Sequence, residues 1–522
     1  MADKITCGEL ASMMAAETLH AVFDVRERGE FNVCQIAGAT SLPRSQIEFR
    51  IAELVPNAKI PIVVYDDDSG RAGLAARTLA QLSYLNVSVL EGGLTEWANA
   101  GYPTASGVNV PSKAFGEKVH HERNIPEITP EELRRLQLQA GEVLIFDART
   151  PEEYRRFCIP GGVNVPGGDL VLWAEELKQK REATLVVNCA GRTRSIIGAA
   201  ILRRLGVGNV RALKNGTMGW VLAGLELETK PSRETPEPPQ NSRAKAATLA
   251  WRVAEEENIP SLTASELNAI CESENTEAIY LVDVRSESEY TAGHIPRSLS
   301  VPGGQAVQRA DDFIAVRHSR VVFISERGAR AVMAAYWYRQ MGFRHALVLD
   351  GGLDTWRQNG GSIASGLRRN APLGLEAARK LAQFISPTDL KSLPRETSPA
   401  VLDVGSSLDF ESGHIPGAKW ISRGWLEFKI PEELPNRAQR IVLSCPDGQN
   451  SILAAGACKE LGYENVLVLD GGLQAWKAVG YPTEAGLASY LSQPNDIVLS
   501  PSVRGDKDEM KRYLDWETKL GH

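Results

Sequence analysis

The sequence predicts an α/β protein made of four tandem repeats, each built on a parallel sheet buried on both faces. Three observations lead there. Four apolar runs end in aspartate: Ala21-Val22-Phe23-Asp24, Leu144-Ile145-Phe146-Asp147, Tyr280-Leu281-Val282-Asp283 and Ala400-Val401-Leu402-Asp403. In every repeat a second apolar run gives way, 42 residues after that aspartate, to a loop opened by Asp66, Cys189, Ser325 or Cys445. A turn pair follows 26 residues later (Gly92-Gly93, Asn215-Gly216, Gly351-Gly352, Gly471-Gly472), and then Trp97, Trp220, Trp356 or Trp476. Register kept through four copies is the mark of a repeat architecture. Short Val/Leu/Ile runs alternating with helical patterns are what a parallel sheet covered on both sides requires.

Each repeat opens on a helix start of the capping-box type or a close relative: Thr6 with Glu9, Thr129 with Glu132, Thr263 with Glu266, and Ser386 with Asp389. Strand, loop, strand, active loop, helix, strand, turn pair and helix follow in order. The stretch 231–240 is rich in Pro, Glu and Ser and reads as an extended linker that divides the chain into two pairs, repeats one with two and three with four. Helical stretches at 114–122, 246–257 and 375–384 read as spacers packed between domains. A charged helical pattern at 507–520 reads as a strap across a domain surface. The expected domains are 1–107, 124–230, 258–366 and 383–484, with a tail at 485–522.

At 522 residues the chain is too long for one core. Its 43% hydrophobic and 24% charged residues belong to a soluble globular protein, and a net charge of −7 argues against nucleic acid as a general partner. The N-terminus lacks the basic and apolar regions of a secretory signal, and no apolar stretch is long enough for a bilayer, so no membrane partner is expected. Seven cysteines without CxxC pairs form neither a disulfide framework nor a zinc site. A reducing cytoplasm is the expected home, with no metal or cofactor.

The chemistry concentrates at Cys189-Ala190-Gly191-Arg192-Thr193-Arg194-Ser195. An apolar run ends at the cysteine, and a helical run over 196–205 closed by Gly206 follows the loop. A thiol placed there faces backbone N–H groups at the positive end of a helix dipole, which favours the nucleophilic thiolate. Arg192 and Arg194 are suited to grip an anion with paired hydrogen bonds, and Thr193 and Ser195 add hydroxyls.

These residues resemble the rhodanese superfamily of sulfurtransferases. Asp283-Val284-Arg285 followed by Gly293-His294-Ile295-Pro296 is similar to a family signature, seen again at Gly413-His414-Ile415-Pro416-Gly417-Ala418. Repeat two has Phe157-Cys158-Ile159-Pro160-Gly161-Gly162 there, and repeat one Gln35-Ile36-Ala37-Gly38-Ala39. The loop at Cys189 is similar to the family's active loop, and Leu469-Asp470-Gly471-Gly472 to its last strand and turn. The resemblance implies a doubly wound, five-stranded parallel sheet in each repeat, with ligands at the carboxyl ends of the strands. It also implies the reaction: the thiolate takes the outer sulfur of a donor such as thiosulfate as a persulfide and passes it to a thiol or cyanide. Fold alone would not justify an activity. The six-residue span from Cys189 to Arg194 goes, in this family, with sulfur transfer rather than phosphatase chemistry.

By the same measure repeat one is inactive, because Asp66 cannot carry a persulfide and Asp67 and Asp68 repel an anion. Repeat three is inactive because Ser325 cannot relay sulfur. Cys445 is a second candidate, weakened by Asn450 in the place of Arg194 and by the charge of Asp447. Cys158 stands where the signature has histidine and reads as a core cysteine, with a resolving thiol for Cys189 as the alternative. Asp24, Asp147 and Asp283, with Arg26, Arg149 and Arg285, read as ion pairs that hold local loops; repeat four has Gly405 in the arginine's place. The expected function is thiosulfate sulfurtransfer through Cys189. The alternatives are a persulfide relay through Cys189 and Cys445 serving a sulfur-acceptor protein, and a non-catalytic scaffold or sulfide sensor.

Overall fold

A computed structural model describes residues 3–139, 141–272, 278–368, 371–394 and 398–521. Each repeat forms a five-stranded, all-parallel sheet. In repeat two the order is Val163–Asn164, Val143–Asp147, Thr184–Asn188, Val210–Leu213, Glu127–Ile128, and the other three repeats share this order. The first apolar strand and the loop-bearing strand lie side by side at the centre, Asp147 in register with Asn188. Both are buried at their carboxyl ends, as an apolar run covered on two faces requires. Two short edge strands in each repeat are not legible as apolar runs; in repeat one they are Asp3–Ile5 and Thr40–Ser41.

The recurrent residues have recurrent physical jobs. The side chains of Thr6, Thr129, Thr263 and Ser386 accept the N–H of Glu9, Glu132, Glu266 and Asp389 at helix starts. The indoles of Trp97, Trp220, Trp356 and Trp476 are buried, and each donates at 2.9 Å to the carbonyl six residues on. Asp24–Arg26, Asp147–Arg149 and Asp283–Arg285 are buried ion pairs, and the arginines also tie down the carbonyls of Cys34, Phe157 and Gly293. In repeat four Pro446 fills the space beside Gly405, and Asp403 has the Gly405 N–H in place of a guanidinium.

The linker does not divide the repeats as expected. One compact unit holds the described residues of 1–108 and 369–498 together with Ala315–Arg317, so repeat one packs with repeat four. The other holds the described residues of 109–314, 318–368 and 499–522, so repeat two packs with repeat three. In the first unit Arg423 grips Glu48 at 2.8 and 2.5 Å, Arg44 pairs with Glu427, and Ser422 donates to Glu27 at 2.5 Å.

In the second unit the chain from Pro231 to Pro239 forms neither helix nor strand. There Arg233 bonds Glu228, and Thr235 bonds Asn164. The helix Gln240–Glu256 then packs on both Leu170–Leu177 of repeat two and Ala329–Gln340 of repeat three. Backbones approach so closely at Gly168 that an added Cβ would lie 2.8 Å from Gly303 Cα. The linker is therefore the route by which repeat three folds back on repeat two. The other spacer helices are Val110–Glu122, which starts earlier than the sequence pattern suggests, and Leu375–Leu381, after which 383–385 is strand. The tail helix is Lys507–Lys519.

Candidate active site

The strand Thr184–Asn188 delivers Cys189 to the first turn of the helix Thr193–Arg204. The Cys189 thiol lies 3.5 Å from Ser195 Oγ, which itself donates to the Arg192 carbonyl at 2.7 Å. From behind, the turn at Asn215-Gly216 fixes the loop: Thr217 N–H donates to the Cys189 carbonyl at 2.8 Å and Met218 N–H to that of Ala190 at 3.0 Å. Gly216 has φ +55°, and an added Cβ would stand 2.2 Å from the Cys189 carbonyl oxygen. Gly93, Gly352 and Gly472 make the same approach to Asp66, Ser325 and Cys445. The second glycine of the turn is thus required by the loop it supports.

What the loop offers a ligand is clearest in repeat one. Asp66 turns its carboxylate into the cradle and accepts the N–H of Asp68 at 2.8 Å and of Ala72 at 2.9 Å, and the Ser69 hydroxyl at 3.2 Å. In repeat three the corresponding N–H, of Ala331, reaches Ser325 Oγ at 3.3 Å. The cradle is an anion seat, as a helix N-terminus should be.

The structure assigns the arginines differently from the expectation. Arg192 is buried and spends its guanidinium on Glu117 at 2.5 and 2.9 Å, with Glu127 and Asn215 also in reach. Glu117 comes from the spacer helix Val110–Glu122, a partner that sequence spacing could not reveal. Arg194 makes a two-toothed pair with Glu153 at 2.6 and 2.8 Å. Both arginines therefore hold carboxylates of this chain rather than an open seat.

The tail helix closes the loop's outer face. Met510 and Leu514 pack on Met218, with Val221, Leu222 and Tyr513 around them. Glu517 Oε1 accepts the Thr193 hydroxyl at 2.7 Å. A Cβ on Gly191 would lie 2.9 Å from Glu517 Oε2 and 3.5 Å from the Tyr513 ring. Cys189 is left 2% exposed. In this closed form burial pushes its thiol up, and the charge of Glu517 adds to the rise; Arg194 and the hydrogen bonds of Ser195 oppose it. The thiolate expected from the loop alone is not what this enclosure favours. The strap was legible as a charged helix. Its apolar face at Met510 and Leu514, with Glu517 one turn on, was the available signal.

Cys445 is fully buried, with Asp447 3.9 Å from its sulfur. Burial raises this thiol as well, and Asp403 and Asp447 add to that. Cys158 is a core residue in an antiparallel pair with 228–229; burial and Glu228 push it up to about 11. The signature histidines are structural: His294 and His414 stack on Tyr290 and Phe410 with centroids 3.7 and 3.6 Å apart. Among the described residues Glu117, His120 and His121 bring three ligand atoms together, but both Glu117 oxygens are already bound by Arg192.

Four doubly wound domains, each with a loop at the carboxyl end of a central strand backed by a glycine turn, two of them bearing a cysteine there, define a class of tandem α/β proteins with a thiol at a helix N-terminus. The family model for the Rhodanese-like domain matches residues 6–100, 129–223, 263–359 and 386–479, and the chain belongs to that family. A crystal structure of a thiosulfate sulfurtransferase from Pseudomonas aeruginosa is 38% identical, with a TM-score of 0.92, covering 99% of this chain and 97% of that one. A thiosulfate sulfurtransferase of Azotobacter vinelandii is 30% identical over 155 residues, 29% of this chain and 55% of that protein. The chain thus spans about half the length of that relative. Thiosulfate sulfurtransferase GlpE of Pseudoalteromonas translucida is 33% identical over 79 residues, 15% of this chain and 72% of its own. No described helix is long and apolar enough to cross a membrane.

Proposed function

We propose that the chain is a thiosulfate-type sulfurtransferase whose nucleophile is Cys189. The observation that carries this reading is the anion seat. In repeat one the cradle's N–H groups gather the Asp66 carboxylate, and repeat two has a thiol at the same point with Arg194 in the first turn of the helix. The similarity to thiosulfate sulfurtransferases supports the choice of reaction. The Cys189 thiolate attacks the outer sulfur of thiosulfate. A sulfur–sulfur bond forms on Cys189, the donor's own sulfur–sulfur bond breaks, and sulfite leaves with the electron pair. The persulfide anion is held by the helix N-terminus and the charge of Arg194. Cyanide or an acceptor thiolate then takes the outer sulfur and returns Cys189 to thiolate.

Cys445 is read as silent, because its loop has Asn450 where repeat two has an arginine, and a carboxylate beside the sulfur. The test is transfer from thiosulfate to cyanide by Cys189→Ser and Cys445→Ser, with the mass of each cysteine peptide after exposure to donor. Loss of turnover and of the added sulfur only with Cys189→Ser is expected. Full turnover in Cys189→Ser rejects the assignment. A stable added sulfur on Cys445 would favour the relay.

A further inference from the structure

Glu517 has no part in the chemistry above, yet it is 2% exposed and its Oε2 has no hydrogen-bond partner. It reaches the loop from the tail helix, a separate segment of the chain, with Oε1 on the Thr193 hydroxyl and Oε2 over Gly191.

The helix that carries Glu517 is anchored without help from the loop. Asp506 caps its start by accepting the N–H of Asp508 and Glu509. Met510 and Leu514 pack on Met218, and the Lys113 ammonium sits over the Tyr513 and Trp516 rings at 4.9 and 4.7 Å. The carboxylate is therefore delivered to the mouth of the cradle by a fixed element. Repeat one already has a carboxylate satisfying such a cradle from within, through Asp66.

We propose that Glu517 is a specificity-determining residue of the Cys189 site: the tail helix seats a carboxylate where a small anionic donor would bind, so the two compete for one place. Like charge built against one class of ligand is a general route to discrimination. Glu517 thus disfavours a small anion relative to a neutral reagent of the same size. Burial raises the Glu517 carboxyl and the charge of Glu117 adds to the rise, with Lys113, the Thr193 hydroxyl and Arg192 opposing. The identity of the donor rests on the sulfur-transfer reading; the presence of the seat does not.

The test uses the full-length chain with Glu517→Gln and Glu517→Asp. Alkylation of Cys189 by anionic iodoacetate and by neutral iodoacetamide is followed by the mass of the Cys189 peptide, beside thiosulfate kinetics with cyanide. Glu517→Gln is expected to raise the iodoacetate-to-iodoacetamide rate ratio at least fivefold and to lower the thiosulfate KM severalfold, with kcat within about twofold. Glu517→Asp, which keeps the charge, is expected to keep the wild-type ratio. An unchanged ratio in Glu517→Gln, or an equal rise in both variants, overturns the inference, the second because packing rather than charge would then be responsible. A raised ratio in Glu517→Gln alone, with no sulfur transfer by any form, leaves the seat standing and removes the sulfurtransferase reading.

Discussion

Arg194 and Glu153 form a two-toothed ion pair at 2.6 and 2.8 Å, and repeats one and three draw the same pair with Arg71–Glu30 and Arg330–Glu289. The arginine that looked diagnostic of an anion site is thus also part of the scaffold, present where the loop has no thiol. Although desolvation works against it, the Arg194 charge holds the Glu153 carboxyl down at about 2. A lowered folded value contributes stability above the ordinary value of 4.5 that is lost as pH falls toward 2. Arg194→Met is expected to cost about 1–2 kcal/mol, below the scale for breaking a fully buried pair because the Glu153 side chain is 36% exposed and partly screened by solvent. It should also remove that part of the acid dependence. Arg71→Met should cost a similar amount and leave transfer by Cys189 intact. Urea unfolding between pH 2 and 7, with activity measured in parallel, checks both.

Gly216 supports the loop by having no side chain. Gly216→Ala is expected to push the Cys189 carbonyl and to lower transfer more than about tenfold, with a stability cost of about 1–3 kcal/mol from the positive φ. Gly224 also has a positive φ, +77°, but nothing lies within 4 Å of an added Cβ. Gly224→Ala should therefore cost stability alone. Equal activity loss in the two variants would contradict the proposed support.

Repeats one and four are joined by the buried Arg423–Glu48 pair, whose side chains are 9% and 10% exposed. Arg423→Met is expected to destabilise that unit by about 3–5 kcal/mol, since it strands a buried carboxylate. Cys189 lies in the other unit, so transfer at temperatures below the transition should be unaffected. Calorimetry should show a lowered Tm for one transition.

Asp403 lacks the arginine that its counterparts have, and burial raises its carboxyl to about 6. A carboxyl raised on folding stabilises the protein while protonated. Its contribution is present below the ordinary value of 3.8 and is lost as pH rises through 6. The difference is on the order of 3 kcal/mol. Asp403→Asn stays neutral throughout, so the stability lost between pH 4 and 6 should shrink. Denaturation midpoints across that range give the answer.

The repeats, their strands, the loop at Cys189 and the turn pairs were legible because they are local: an apolar run, a cap and a glycine turn each declare themselves within a few residues. The Asp–Arg pairs were legible for the same reason, two residues apart on one strand end. Which repeat packs with which, the hold of Glu117 on Arg192, and the closure of the loop by Glu517 were decided only in three dimensions. Each joins residues far apart in sequence, and buried complementary charge and apolar contact leave no periodic trace along a chain. Sequence determined a thiol at a helix N-terminus; tertiary packing determined that a carboxylate from the tail helix bonds the same loop.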